Sequence, residues 1–500
     1  MPELVGVVGA GAMGAGIAEV AAVAGRKVLL YDAAPGAADK ARTKIEQRFS
    51  RKVEEGRMEL QVRDAICGRI SSCQELADLA QAGLVIEAIV EDLKVKQELF
   101  TSLESILAED AILASNTSSL SITELASNLK HRGRFAGLHF FNPAPVMSLV
   151  EVVSGLATSS AVMDTLVATV AEWGKTPVRV RSAPGFIVNK GARPFYGEAL
   201  RVLDEGAAEA ETIDALIRAN GFKMGPLELI DLVGLDINLA VSRRMTEAYY
   251  GESRYKPSFS VENRVAAGWL GRKTGKGFYE YGNGDKSGPF VYQFTDSSEK
   301  FNRAITVHGD LGPAQKLISL WRERGFEVTQ VEGEGWIETE GAWLALTDGR
   351  MAAERHAQMP GNWVLFDLAL DYEKVDLIAL TGGPGPDRPI EFAAKLFQFL
   401  DKQVSVIEDT PGMLNARTFA MLVNEGFDSL SRRIASEEDI DVAMRKGLNF
   451  PGGPFQWCGV LSAPYVVRVL DNMRASYGEE RYRASVLLRR HALNWKAKHD

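Results

Sequence analysis

The sequence is poor in cysteine. Its 500 residues include only Cys67, Cys73 and Cys458, an odd number spread widely along the chain. This distribution argues against a disulfide framework and for a reducing compartment, so it predicts a cytoplasmic protein. Neither a CxxC nor an HExxH motif occurs. We therefore expect no metal site.

The sequence also lacks an excess of basic charge and has one long apolar segment. It carries 57 Lys and Arg against 66 Asp and Glu, a formal net charge of −9. That balance gives no overall attraction to nucleic acid or to an anionic membrane. The apolar segment, residues 4–25, contains five glycines between residues 6 and 16 and follows no basic residue. It fits a buried strand and helix better than a signal peptide or a bilayer span.

The length excludes a single hydrophobic core, because such cores stop growing at roughly 250–300 residues. Over residues 1–183, short apolar runs alternate with helical patterns, which predicts a doubly wound, mostly parallel Rossmann-like sheet. Residues 184–282 then read as an all-helical domain, and 282–300 as a polar linker. Strands return over 300–408, including one predicted at Trp363–Ala369, and we interpret this region as a degenerate α/β domain. A second helical domain is predicted for 409–500.

An internal repeat supports this organisation. Pro184-Gly185 recurs as Pro411-Gly412, and three further features recur after it. Four features in one order, three of them at one constant offset, indicate a duplication. The matched positions are Glu198 with Glu425, Ile213-Asp214 with Ile440-Asp441 and, with one inserted residue, Gly225-Pro226 with Gly453-Pro454.

A dinucleotide-binding pattern lies near the N-terminus. The glycine-rich turn follows a predicted strand, Leu4–Val8, and opens a predicted helix, so backbone N–H groups would face a pyrophosphate. The next strand ends at Asp32, where a carboxylate would bind ribose hydroxyls and repel a 2′-phosphate, which favours NAD over NADP. Glycine and aspartate are also ordinary turn residues, but all three context features accompany them here. The turn residues are Gly9, Gly11, Ala12, Met13 and Gly14.

A histidine and a glutamate form the candidate catalytic pair. His139 ends an apolar strand, and strand ends are where open α/β sheets place their sites. Glu151 lies in the apolar run Leu149–Val153, where a carboxylate is costly unless it has a partner. A turn at 142–145 can fold the second strand beside the first, so that Glu151 faces His139. An isolated histidine would otherwise be interpreted as a buried core residue. The polar run Ser115–Ser119 follows a neighbouring strand and could equally cap a helix.

At these residues the chain resembles the 3-hydroxyacyl-CoA dehydrogenase family, over residues 1–282 and in the family's order. The stretches that carry the resemblance are Gly9–Gly14, Val85–Glu91, Ser115–Ser119, Gly137–Pro143 with Glu151, Pro184–Asn189 and Gly271–Tyr279. The resemblance implies NAD-dependent oxidation of an L-3-hydroxyacyl-CoA, as in β-oxidation. The second helical copy is similar to long bacterial members that oxidise 3-hydroxyadipyl-CoA in phenylacetate breakdown; 3-hydroxybutyryl-CoA is the other candidate.

The resemblance also implies roles for individual residues. His139 would be the base and Glu151 its orienting partner, while Ser118 and Asn189 would hydrogen-bond the reacting oxygen and the bound substrate. Asp32 would bind the adenosine ribose. Further cofactor-contacting positions would be Ser118, Glu91, Lys96, Asn142 and Lys273. A looser match places the CoA phosphates near Arg48, Arg51 and Lys52, a group that could equally be a solvated basic helix face.

The second copy departs from the family pattern. At the offset of the repeat, Asn189 corresponds to Ala416, and the glycine- and lysine-rich tail has no counterpart. We therefore expect residues 412–500 to pack against the first helical block, as an intrachain substitute for a partner subunit, and to carry no chemistry. A homo-oligomer is also open.

Two alternative functions stay open. A different two-domain hydroxyacid dehydrogenase could use Lys190 as its catalytic residue, but His139 and Glu151 would then be unexplained. A non-catalytic NAD-binding structural relative is the other alternative.

Overall fold

The computed structural model describes residues 2–282, 291, 301–383 and 388–499. Most of the predicted linker at 282–300 lies outside the described residues. The chain divides into two compact units. The first, called here the catalytic unit, comprises Met1–Lys190 with Arg432–Leu448, and the second comprises Gly191–Ser431 with Asn449–Asp500.

The strands form one sheet in each unit. In chain order they are β1 Leu4–Val8, β2 Lys27–Tyr31, β3 Ile70–Ser72, β4 Leu84–Glu87, β5 Ile112–Ser115, β6 Phe135–Phe140, β7 Leu149–Ser154, β8 Thr176–Arg181, β9 Ala304–His308, β10 Glu327–Val331, β11 Trp336–Glu338, β12 Trp343–Leu346, β13 Trp363–Phe366, β14 Leu377–Gly382 and β15 Gln403–Val406.

The helices are numbered separately, leaving aside short 3-10 turns. They are α1 Ala12–Val23, α2 Ala37–Glu54, α3 Leu60–Cys67, α4 Leu93–Ile106, α5 Ile122–Leu125, α6 Ser160–Glu172, α7 Val188–Gly191, α8 Arg193–Asp204, α9 Ala210–Ala219, α10 Pro226–Val233, α11 Leu235–Ala248, α12 Phe259–Ala266, α13 Lys316–Glu323, α14 Ala352–Gln358, α15 Arg388–Gln398, α16 Asn415–Ser431, α17 Glu437–Gly447, α18 Pro454–Leu461, α19 Ala463–Tyr477 and α20 Val486–His499.

The catalytic unit is built on an eight-stranded sheet in the order β3-β2-β1-β4-β5-β6-β7-β8. Neighbouring strands run parallel except β6 and β7, which are antiparallel. Every residue of β4, β5 and β6 is buried, as continuous apolar strands between two helical layers require. The predicted doubly wound α/β class is therefore confirmed, and the carboxyl ends of β1, β4, β5 and β6 meet at one edge.

The second unit contains the smaller sheet, in the order β10-β9-β11-β12-β13-β14-β15. Its last three strands repeat the orientations of β6–β8, since β13 and β14 are antiparallel and β14 and β15 parallel. The strand predicted to run through Ala369 ends at Phe366. The next residue, Asp367, still donates its backbone N–H to Ala379. Its carboxylate accepts the backbone N–H groups of Leu414, Asn415 and Ala416, which fixes this end of β13 against the start of α16.

The two helical copies correspond element by element, with α8–α12 matching α16–α20 in order. The backbone at the start of each copy is also repeated: Gly185 and Phe186 have φ of 74° and 46°, and Gly412 and Met413 have 74° and 47°.

Within the second unit the copies exchange buried ion pairs. Arg254 and Tyr255 of the first copy contact Glu425 of the second. Their counterparts in the second copy, Arg481 and Tyr482, contact Glu198 of the first. Both carboxylates are fully buried. The copies are therefore joined by the same contact made twice in opposite directions.

One part of the second copy does not lie where the sequence predicted. Residues 412–500 were expected to pack against the first helical block as a whole. Instead, Arg432–Leu448, which contain α17, belong to the catalytic unit. The amphipathic pattern of a helix identifies its apolar face but not the sheet or helix that covers it, so the sequence could not assign α17.

Candidate active site

The loop between β1 and α1 has the geometry of a phosphate cradle. Gly9 has φ of +103°, a conformation that favours glycine. Gly11 precedes α1 with no side-chain cap, and a Cβ added to it would meet no atom within 4 Å. The approach to Gly11 at the start of α1 is therefore open, as binding of an anionic pyrophosphate at a helix N-terminus requires. The predicted residues Ala12, Met13 and Gly14 form the first turn of this helix.

Asp32 lies beside the cradle, immediately after β2. Its carboxylate accepts the backbone N–H of Ala10 at 2.6 Å and that of Ala34 at 2.8 Å. These bonds fix the carboxylate against the glycine loop, at the position where a ribose would follow the pyrophosphate. The residues present thus fit an NAD molecule bound across the ends of β1 and β2.

His139 and Glu151 lie opposite each other on the antiparallel strands β6 and β7. The distance between His139 Nδ1 and Glu151 Oε2 is 2.6 Å. The predicted contact is confirmed. The other carboxylate oxygen of Glu151 accepts the backbone N–H groups of Ile187 and Val188, both at 3.0 Å. Glu151 is therefore fixed by the turn before α7 and in turn fixes the imidazole ring.

The surroundings of the ring are apolar. His139 is 6% exposed and Glu151 is fully buried. The rings of Phe141 and Phe186 have centroids 4.4 Å and 5.8 Å from that of His139. With Nδ1 held by Glu151, the Nε2 atom is the ring nitrogen that can exchange a proton with a substrate.

The loop after β5 carries Ser118. Glu91 organises this loop by accepting hydrogen bonds from Thr117 Oγ1 at 2.6 Å and from the N–H groups of Ser118 and Ser119. Burial opposes ionisation of Glu91, but the bonds from Thr117 and Ser119 and the charge of Lys96 outweigh it, so its pKa lies below the usual value. Glu91 thus remains a carboxylate that holds the Ser118 loop.

A buried ion pair supports the same loop. Lys96 Nζ lies 2.5 Å from Glu87 and 3.2 Å from Glu91. Glu87 also accepts hydrogen bonds from Ser115 Oγ at 2.6 Å and from the N–H of Ile89 at 2.7 Å. Sequence reasoning did not select Glu87 as a site residue. The signal was present, since Glu87 is a carboxylate in an apolar strand, as Glu151 is.

Asn116 connects the two parts of the site. Its Oδ1 accepts the backbone N–H of Phe140 at 2.8 Å, next to His139. The Ser118 loop and the His139 strand are thus brought together at one sheet edge. Asn142 lies exposed just beyond β6, and Asn189 lies in α7, after the N–H groups that bind Glu151.

The three basic residues of α2 proposed for CoA phosphates each have different contacts. Arg48 forms an ion pair with Glu19, a buried residue of α1. Burial raises the pKa of Glu19, and the charges of Arg48, Lys52 and Lys175 oppose that rise. Lys52 Nζ lies 4.8 Å from the centroid of the Phe49 ring. Arg51 lines a surface groove between α2 and α3, so it borders open space that a ligand could enter.

Two lysines named in the sequence analysis, Lys273 and Lys190, have contacts of a different kind. Lys273 lies in the second unit, where it pairs with Asp236 at 2.6 Å. Asp231 anchors the segment that carries it by accepting the N–H groups of Phe278 and Tyr279. Lys190, the residue that a different hydroxyacid dehydrogenase would use, is fully buried.

Comparisons with known proteins match this geometry. The chain is similar to 3-hydroxyadipyl-CoA dehydrogenase of Escherichia coli, with 41% identity over 98% of both chains. A family model described as 3-hydroxyacyl-CoA dehydrogenase, NAD binding domain, matches residues 4–183. The chain belongs to the 3-hydroxyacyl-CoA dehydrogenase family. It is an NAD-dependent oxidoreductase that converts a 3-hydroxyacyl-CoA to the 3-oxoacyl-CoA, and the predicted family, activity and cofactor are confirmed. These matches support neither alternative function.

Other matches describe the second half. The model of the 3-hydroxyacyl-CoA dehydrogenase C-terminal domain matches twice, at 185–281 and 412–498, which confirms the repeat. A 3-hydroxybutyryl-CoA dehydrogenase reduced Rossmann-fold domain matches 344–411. A crystal structure of 3-hydroxybutyryl-CoA dehydrogenase from E. coli K12 aligns over the full length of both chains, with 39% identity and a TM-score of 0.90.

Shorter dehydrogenases match little more than half of the chain. A probable 3-hydroxybutyryl-CoA dehydrogenase of Bacillus subtilis is 43% identical over 277 residues, which are 96% of that protein and 55% of this chain. Among the helices of the described residues, none is both long and apolar enough to cross a membrane.

Proposed function

We propose that the substrate is 3-hydroxyadipyl-CoA, oxidised to 3-oxoadipyl-CoA in the breakdown of aromatic acids. The observation that carries this proposal is the relative of that name, which aligns with 98% of the chain at 41% identity. A second candidate, 3-hydroxybutyryl-CoA, has the support of the name of the crystal structure that aligns over the whole chain. The two substrates differ in their terminal group, a carboxylate in one and a methyl in the other.

His139 is the general base of the proposed mechanism. NAD, when bound, would accept the hydride released from C3. The Nε2 atom of His139 would take the hydroxyl proton as the C3=O bond forms. Glu151 holds Nδ1 at 2.6 Å, so it sets the tautomer and faces the positive charge that the ring gains. Its own bonds to Ile187 and Val188 keep the carboxylate in place without a second cation.

Ser118 and Asn189 are assigned to the substrate. Ser118 is exposed at the sheet edge while its backbone N–H is held by Glu91, so the hydroxyl can bond the 3-oxygen or the cofactor without moving the loop. Asn189 follows Val188, whose N–H binds Glu151. Ser118 precedes the His139 strand in the chain, and Asn189 follows it. Asn116 links the Ser118 loop to that strand by accepting the N–H of Phe140. Glu151, which binds the backbone just before Asn189, contacts His139 itself.

The remaining cofactor and CoA contacts are assigned by residue. Glu91, Lys96, Asn142 and Lys273 are proposed to contact NAD, together with the glycine loop and Asp32. Arg51 and Lys52 are proposed to bind CoA phosphates. Arg48 contributes there only if its ion pair with Glu19 opens. The groove beside Arg51 also contains Arg63, which is paired with Glu46 and Asp64.

The second half is proposed to act as an internal partner subunit. Its support is the exchange of Glu198–Arg481 and Glu425–Arg254 contacts between helical copies. Four domains, at 1–183, 184–282, 300–408 and 409–500, and a cytoplasmic location remain part of this proposal. The three cysteines are all free thiols, in keeping with a reducing compartment.

A substrate panel tests the proposed function. NADH formation would be followed with 3-hydroxyadipyl-CoA, 3-hydroxybutyryl-CoA, a longer monocarboxylic 3-hydroxyacyl-CoA and free 3-hydroxybutyrate. We expect the highest kcat/KM with 3-hydroxyadipyl-CoA and no turnover of the free acid. A higher kcat/KM with 3-hydroxybutyryl-CoA would replace the first candidate by the second, and turnover of the free acid would contradict the requirement for CoA.

A further inference from the structure

Helix α17 comes from the second helical copy but packs on the catalytic sheet. The helix lies against β7 and β8 within the catalytic unit. Just before it, the carbonyl of Ile434 accepts the backbone N–H of Arg181, at the end of β8, at 2.7 Å. Ser436 caps the helix by accepting the N–H of Asp439. The start of α17 is thus fixed to the sheet edge next to the strand that carries Glu151.

The other end of α17 reaches the residues around Glu151. Its last residue, Gly447, lies so close to the sheet that a Cβ added there would be 2.8 Å from Cδ2 of Leu149 and 2.9 Å from Cγ2 of Val188. A Cβ atom at either distance would require the side-chain methyl group of Leu149 or Val188 to shift. Only glycine therefore lets the helix approach this closely without moving a neighbour.

Both neighbours of Gly447 belong to the segments that position Glu151. Leu149 opens β7, two residues before Glu151. Val188 donates its backbone N–H to Glu151 at 3.0 Å and precedes Asn189. Because Glu151 holds His139, a displacement of Val188 would be transmitted to the ring through two hydrogen bonds. We propose that α17 is a positioning element of the dehydrogenase site, and that Gly447 allows it to hold Val188 against Glu151.

The corresponding helix of the first copy, α9, has a different residue at its C-terminal end. There the carbonyl of Ala207 accepts the N–H of Glu408, and the repeat relates these two positions to Ile434 and Arg181. The position that matches Gly447 is Asn220, whose side chain accepts the N–H of Leu370 at 2.9 Å. In both units, therefore, a helix of one copy packs on the sheet of the other: α17 on β7 and β8, and α9 on β14. A glycine at the end of the helix occurs only in α17, on the sheet that carries His139 and Glu151.

This inference rests on the proposed roles of His139 and Glu151. If α17 acts through Glu151, its effect on turnover must disappear when Glu151 can no longer orient the ring. If α17 only stabilises the fold, its effect must be independent of Glu151. A double-mutant cycle separates the two cases, because coupled residues are non-additive and independent ones are additive.

The test uses the full-length chain with Gly447→Ala, Glu151→Gln and the double variant. We expect Gly447→Ala to lower kcat by about 10-fold, the scale of a small misplacement at an active site, with little change in the KM for NAD. In the Glu151→Gln background, the same substitution should change kcat by less than about twofold. Gly459→Ala is the matched control, because a Cβ at Gly459 in α18 meets no atom within 4 Å; its kcat should equal that of wild type.

Thermal unfolding of each variant guards against a loss of folding. Should Gly447→Ala fold poorly, Gly447→Ala with Val188→Ala removes the clash with the Val188 methyl groups, leaves the one with Leu149, and should recover part of both folding and kcat. An equal loss of kcat with and without Glu151 would overturn the proposal, as would unchanged kcat in folded Gly447→Ala. Normal turnover in His139→Ala would instead refute the proposed mechanism on which the inference rests.

Discussion

The guanidinium of Arg481 lies 2.8 Å from the carboxylate of Glu198, 283 residues earlier in the chain. Both residues are buried, and the same pair is repeated with the copies exchanged as Arg254 and Glu425. Buried pairs of this kind are sensitive to loss of one partner, because the remaining buried charge is then less well compensated.

Arg481→Met should therefore lower the free energy of unfolding by about 3 kcal/mol. Adding Glu198→Met should recover part of this loss, because it removes a buried carboxylate that then keeps only Tyr482 and the more distant Arg417 as partners. Denaturant unfolding monitored by circular dichroism measures both values. Arg474→Met, which breaks an exposed pair with Glu480, is the control and should have little effect. A loss in Arg481→Met no larger than in the control would argue against a structural role for the exchanged pairs.

Asp32 should determine the choice of cofactor. Asp32→Ala removes the carboxylate that Ala10 and Ala34 hold in place, so NAD should bind more weakly and its preference over NADP should narrow. The kcat/KM values for the two cofactors measure the effect. Wild-type enzyme that uses NADP as efficiently as NAD would contradict this role.

Asp367 should make stability depend on pH. Burial raises its pKa to about 6, and the backbone N–H groups of Asn415 and Ala416 oppose that rise. Since the folded-state pKa lies above the unfolded one, the contribution is complete below about pH 4 and is lost as the pH rises through about 6. Relative to Asp367→Asn, the wild-type protein should lose roughly 3 kcal/mol of stability between pH 4 and pH 7.5.

Chemical denaturation of both proteins at several pH values measures this difference. Asp371→Asn serves as a control, because Asp371 has a lowered pKa set first by its bond to Lys374. A difference between wild type and Asp367→Asn that stays constant with pH would show that Asp367 does not titrate in this range.

Truncation after Lys300 should separate cofactor binding from turnover. The glycine loop and Asp32 lie within residues 2–190, so NAD should still bind. Turnover should fall because α17 is removed, and loss of the second copy should expose apolar surface and cause dimerisation or precipitation. Light scattering, NAD titration and activity measurements distinguish these effects. A truncated chain that is monomeric, soluble and fully active would show that the second half is not an internal partner.

The sequence predicted those parts of the fold that depend on local pattern. The bounds of β1 and β2 follow from apolar runs that end at a glycine turn and at Asp32. The pairing of His139 with Glu151 follows from a carboxylate in the next apolar strand, which the turn at 142–145 folds back beside the first. The docking of α17 could not be predicted, because an apolar helix face does not name its partner. Nor could the end of β13 be predicted, since the carboxylate of Asp367 fixes that end by binding N–H groups far along the chain, such as that of Asn415.

The most direct test of the account measures turnover of His139→Ala with 3-hydroxyadipyl-CoA and NAD. We expect kcat to fall by roughly 10²–10⁴-fold, the usual contribution of a general base. Binding of NAD, measured by fluorescence titration, should be retained, because His139 lies outside the glycine loop. Glu151→Gln should lower kcat by a similar or smaller factor. Near-normal turnover in His139→Ala, with NAD bound, would contradict the assignment of His139 as the base.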